Sequence, residues 1–203
     1  MASLAYKEVE AYFDIKPKKI NIKIHKTRKS FNKQLNRETL EWEVANASYS
    51  GSIDILHPDC FAKESTHARE DFLPILKHEI AHIFLDLLSG GHKIPKWLDE
   101  GFSSHVAGLN SNSDLAYIEE GFCRELGTPD GWNKHSGHGA YKTARMFVKF
   151  LVKKYSIEKV DKLIATSEEN YNYDNFNRNF KNIFSKNIDD AEKEFIKSIK
   201  SSK

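Results

Sequence analysis

The stretch that decides how this 203-residue chain is read is ILKHEIAHIFLDLLSGGHKIPKWLDEGFSSH, residues 75–105. It sets His78 and His82 four apart among mostly apolar neighbours, stops at Gly90-Gly91, and resumes after Pro95 with Trp97-Leu98-Asp99-Glu100-Gly101. Phe72, Leu73, Leu76, Ile80, Ile83, Phe84 and Leu87 recur at helical spacing. That periodicity predicts a helix over 69–89, with the glycine pair as its C-terminal stop. A second helix is expected from Lys96 or Trp97 to about Leu109. His78-Glu79-Ile80-Ala81-His82 is an HExxH pattern. Residues four apart on a helix stand one above the other, so both imidazoles can address one metal ion. Glu79 follows about 100° round the helix, angled to meet a bound water. Unpartnered polar groups on an apolar face cost roughly 1–3 kcal/mol each, which counts against two idle core histidines.

Neutral imidazole suits Zn²⁺, and catalytic zinc takes three protein ligands with one position open. A histidine six residues after His82 would supply the third ligand in one known arrangement, but Leu88 stands there. His92 falls in the loop just past the glycine pair. Glu100, one turn into the second helix, is the better candidate and completes a His₂Glu set if that helix packs back on the first. Asp99 is its neighbouring alternative.

HExxH followed by WLDEGFSSH, with seventeen residues between His82 and Glu100, resembles the gluzincin branch of zinc metallopeptidases, especially its compact peptidase MA-like members, which pair an HExxH helix with a WLxEGxA helix. Trp97, Leu98, Glu100 and Gly101 match as they stand, and Ser103 replaces the usual alanine. The resemblance implies one Zn²⁺ held by His78, His82 and Glu100, with Glu79 as catalytic base. In that scheme Glu79 takes a proton from a zinc-activated water as it attacks a peptide carbonyl, then passes it to the leaving amine. The developing oxyanion needs a further donor. Tyr141 is the first choice, because aminopeptidase-like relatives use a tyrosine from a following helix; His138 and His135 are the runners-up, and plain packing is the other reading of Tyr141. Asp86 and Ser104 are placed one turn beyond ligands and are candidates to orient them. SYSGSIDIL (48–56) is similar to the family's edge strand, on which an extended peptide would pair. GAYKTARMFVKFLVKKY (139–155) is similar to its tyrosine-led helix. The likeness is carried by motifs between residues 48 and 155 of the 203; the first and last 40 match only in general character.

Elsewhere, apolar positions predict helices over 3–14 and 26–37, and Ile20, Ile22 and Ile24 alternate along a half-buried strand, 18–25. Two strands joined near Gly51 are expected over 42–56, ended by Pro58. Helices follow at 113–126, 140–155, 157–166, 173–184 and 188–200, and the glycine-rich 127–139 reads as a loop. Strands first and helices later argue an α+β domain. The resemblance sharpens this to a single zincin-like domain. Its N-terminal lobe (1–90) would hold a small twisted sheet and the HExxH helix; its helical C-terminal lobe (91–203) would carry the third ligand, with a cleft between.

Net charge is +2, so no global field argues for nucleic acid, although Ile15 to Arg37 holds nine Lys or Arg and no acid. The two cysteines, Cys60 and Cys123, are far apart and suggest reduced thiols. No signal-type apolar region opens the chain and no run is long enough to span a membrane, so a cytoplasmic protein is expected. The function expected is a zinc-dependent peptidase acting on peptide or protein substrates. Endopeptidase action is favoured, since no glycine-rich amine-recognition motif is present. The alternatives are a catalytically silent zinc-binding regulatory module on the same fold, against which the intact Glu79 speaks, and a metal-free helical interaction domain.

Overall fold

The computed structural model of the chain describes residues 1–17, 19–48, 50–109 and 117–201. It is an α+β protein, mostly helical, with one three-stranded mixed sheet among the described residues. No helix of these residues is long and apolar enough to cross a membrane. The chain divides into two compact units, 1–87 with 106–109, and 88–105 with 110–203.

The first unit holds α1 (Ala2–Glu10), β1 (Asn21–His25), α2 (Arg28–Leu35), β2 (Ala45–Ser48), β3 (Ser52–Leu56) and α3 (Pro58–Glu64). After a 3-10 turn at Arg69–Asp71 comes the long helix α4 (Phe72–Leu88). The strand order is β1-β3-β2. β3 runs parallel to β1, with Asn21 opposite Ser52 and His25 opposite Leu56, and antiparallel to β2, with Ala45 opposite Ile55. The segment expected to be an edge strand is therefore the centre of the sheet. Ile53, Asp54, Ile55 and Leu56 are buried in succession, as in a strand covered on both faces. Their imperfect alternation about Asp54 was the trace of this in the sequence. An added strand can pair only at β1 or β2.

β1 also differs from expectation, in its faces rather than its place. Ile24 is 48% exposed, whereas His25, on the opposite face, is 2% exposed and sets its ring edge-on to Phe31. α2 is started by Thr27, whose hydroxyl accepts from the Ser30 backbone N–H at 3.2 Å. The Arg28 guanidinium then donates to the carbonyls of Leu40, Glu41, Glu43 and Glu64 and to the Thr39 hydroxyl, tying the 39–43 loop to the end of α3. Pro58 does end β3, but it also opens α3 at a first-turn position where its missing N–H costs nothing.

The second unit comprises α5 (Lys96–Ala107) as far as His105, α6 (Phe122–Glu125), α7 (Pro129–His135), a 3-10 turn (Ser136–His138), α8 (Ala140–Lys154), α9 (Ile157–Ala165), α10 (Tyr173–Phe184) and α11 (Ile188–Lys200). The 127–139 segment is thus not a loop. Thr128 caps α7 by accepting from Gly131 N–H, and Pro129 sits in its first turn, so a helix-start signal was present beneath the glycines. Of the helix expected over 113–126, residues 113–116 lie outside those described, and only Phe122–Glu125 is helical among the rest. Lys18 and Tyr49, in expected strands, also lie outside them.

The core of this unit is aromatic. Phe147 of α8 lies 5.1 Å from Trp97 and 5.2 Å from both Phe122 and Phe195, ring centre to ring centre. Glu192 of α11 is 2% exposed and accepts from the backbone N–H groups of Gly121 and Cys123, satisfying the start of α6. α5 meets α8 at Gly101, where a Cβ would stand 2.6 Å from the Ala144 carbonyl oxygen and 2.9 Å from Val148 Cγ2. Backbone meets backbone there, and no flexible tip can yield. Gly101→Ala should therefore cost at least about 2 kcal/mol through overpacking. Urea unfolding checks this, as a lower midpoint with an unchanged slope.

Candidate metal centre

α4 carries Pro74 in its first turn, where a missing N–H breaks no helical bond, and then an apolar face of Ile75, Leu76, Ile80, Ile83 and Phe84. His78, Glu79 and His82 interrupt that face and are each partly buried. The Nε2 atoms of His78 and His82 stand 3.0 Å apart, and the two rings are perpendicular (89°) with centres 4.6 Å apart. The i, i+4 spacing has done what helical geometry requires: both imidazoles aim one nitrogen at the same small volume. Two lone pairs so placed repel unless a proton or a cation lies between them.

α5 begins where its first N–H groups find carbonyls. Lys96 N–H donates to Gly127 O and Trp97 N–H to Leu126 O, while Leu98 and Asp99 donate back to Pro95 O. The start of the helix is thereby anchored to the end of α6. Trp97, Leu98, Phe102 and Ser103 are fully buried, and Ser104 nearly so. Glu100, in their midst, is 9% exposed. Lys96 Nζ lies 3.2 Å from Asp99 Oδ2 and 3.5 Å from Glu100 Oε1. Sequence reasoning passed over Lys96, although a lysine three and four residues before two acids is a recognisable helix pairing.

Among the described residues, one group of side chains could hold a metal ion: His78, His82 and Glu100, whose donor atoms all lie within 4.8 Å of one another. The donor set fits zinc. Zn–N bonds of 2.0–2.1 Å at tetrahedral angles put two imidazole nitrogens about 3.3 Å apart, close to the spacing seen, and a carboxylate is an accepted third ligand. His92 and Asp99 are not in the group; His92 is exposed, and the Asp99 carboxylate faces Lys96.

The candidate oxyanion donors are placed differently. Tyr141, second residue of α8, is partly buried and sets its ring edge-on to Trp132 at 4.8 Å, so it has a packing role of its own. His138 is exposed at the end of the 3-10 turn. His135 stacks on Tyr117 at 3.9 Å, with Nε2 3.4 Å from Glu125 Oε1. Asp86 is partly buried on α4. Compared with known proteins, the chain matches no family model, no curated sequence and no solved structure.

His105 lies five residues past Glu100 on α5, its ring 6.5 Å from that of Phe102. Burial first, and then the positive charges of Lys149 and Arg145, hold its pKa below the ordinary 6.5. The folded state therefore resists the proton that the unfolded chain accepts, and stability falls as pH drops below about 6.5. His105→Gln should flatten that part of the profile, read as the melting temperature between pH 7 and pH 5.

Proposed function

We propose that the chain is a zinc-dependent peptidase of gluzincin type, acting as an endopeptidase on peptide or protein substrates. The observation that carries this reading is the donor group of His78, His82 and Glu100, with Glu79 adjoining His78 on the same helix. Zinc bound there supplies a Lewis acid that polarises a peptide carbonyl and acidifies water. The chain's own residues do the rest. His78 and His82 present neutral nitrogens from one helix, and Glu100 brings the negative charge that balances a dication. Lys96 holds the Asp99 carboxylate and shares one oxygen of Glu100, restricting the rotation of the ligand. Glu79 accepts the proton of the attacking water and delivers it to the departing amine nitrogen. Tyr141 is the first candidate to donate a hydrogen bond to the oxyanion, and exposed His138 the second.

The test couples metal analysis to a peptide-library digest. Wild type should bind one zinc per chain and cleave, and chelator should abolish cleavage. His82→Ala should lose the metal. Glu79→Gln should keep the metal and lose roughly 10²–10⁴-fold in rate, the contribution of a general base. Equal cleavage by wild type and Glu79→Gln would overturn the peptidase reading. Zinc bound at stoichiometry with no cleavage by wild type would leave a silent zinc-binding module.

A further inference from the structure

A second constellation of chemistry-bearing side chains lies in the first unit, and it shares no residue with the donor group above. His25 of β1 is 2% exposed, and its Nε2 stands 2.6 Å from Oδ1 of Asp54 on β3. Its other ring nitrogen, Nδ1, stands 3.0 Å from the hydroxyl of Ser30 on α2. Asp54 is itself 9% exposed, whereas Ser30 faces solvent. The order of these three groups fixes their protons. An ionised carboxylate only accepts, so the hydrogen on the imidazole must be at Nε2. In the neutral imidazole Nδ1 is then a bare lone pair that accepts from the Ser30 O–H. A hydroxyl that donates to an imidazole oriented by a buried carboxylate is the arrangement that activates a serine.

The supports of the three groups are rigid. The His25 backbone oxygen accepts from His57 N–H at 2.7 Å, and its ring packs edge-on to Phe31. Asp54 sits in the central strand, between β1 and β2. Ser30 is held in the first turn of α2, its N–H bound by the Thr27 cap. Burying a histidine and an aspartate together serves packing poorly, because each must be withdrawn from water. Of the three residues only Ser30 is exposed.

We propose that Ser30 is a base-activated nucleophile that takes the acyl group from small activated esters. The Ser30 oxygen forms a bond to the ester carbonyl carbon as its proton passes to His25 Nδ1. The bond to the leaving alcohol then breaks, and that alkoxide takes the proton back from His25. The product is acyl-Ser30 and free alcohol, with no redox change. Asp54 stays ionised throughout; it is a positioning residue that sets the tautomer and balances the transient imidazolium.

The probe is a fluorophosphonate, whose phosphorus is attacked by an activated serine oxygen with loss of fluoride, read by mass spectrometry of the intact chain and its peptides. Wild type should be labelled once, at Ser30, at least about tenfold faster than any other serine, and chelator should not change the rate. Ser30→Ala, an exposed change, should abolish the label. Asp54→Asn should slow it at least about tenfold and remove a far-downfield imidazole N–H proton resonance, while His25→Gln should abolish it. Should a buried variant fail to fold, wild type against Ser30→Ala decides. Absent labelling, labelling spread evenly over exposed serines, or labelling of folded Asp54→Asn at the wild-type rate would each overturn the proposal. Because chelator separates the two sites, failure here leaves the zinc reading untouched, and the reverse holds.

Discussion

A carboxylate as withdrawn from water as Glu100 has to be met by positive charge or by several donors, or it would neutralise instead. Lys96 supplies one cation from within the helix, one turn earlier. The position of the carboxylate is fixed by three further contacts: the carbonyls of Leu126 and Gly127 holding the first N–H groups of α5, Trp97 packed against Phe147, and Gly101 lying against the backbone of α8. Together they hold α5 against rotation and sliding, so that Glu100 is presented from a fixed helix and not from a loop.

The first unit handles its buried polar groups by a different device. On α4 the apolar stripe continues either side of His78 and His82. Their cost is tolerable only where something shares their lone pairs. On the sheet, His25 and Asp54 hydrogen-bond each other, and both terminal nitrogens of Arg28 donate to oxygens of the loop and of α3. These contacts satisfy polar groups that would otherwise be costly to withdraw from water.

The helices were legible because their apolar positions repeat strongly: α4, α5, α8, α9, α10 and α11 begin and end within a few residues of expectation. So was the donor group, because i, i+4 histidines on a helix leave little freedom. What failed was tertiary in origin. β3 became central because β1 crosses to its far side, a pairing that local alternation does not encode. α7 was hidden by glycines that weigh against helix, although Thr128-Pro129 opened one. The His25–Asp54–Ser30 array draws on two strands and a helix, and its members are ordinary polar residues in the sequence. No spacing rule links positions 25 and 54. Lys96 was readable but had no reason to be noticed until Glu100 proved buried.

The register of the sheet also constrains how the chain acquires its structure. β2 and β3 are neighbours in sequence and close as a hairpin, whereas β1 pairs with β3 at a constant offset of 31 residues, from Asn21 opposite Ser52 onward. Loop-closure entropy makes that second pairing the slower of the two. Nascent chain would then hold an open hydrogen-bonding edge along β3, with Ile53 and Ile55 beside it, until β1 docks. Dilute refolding and co-translational capture by chaperones are the conditions under which such a chain fares best.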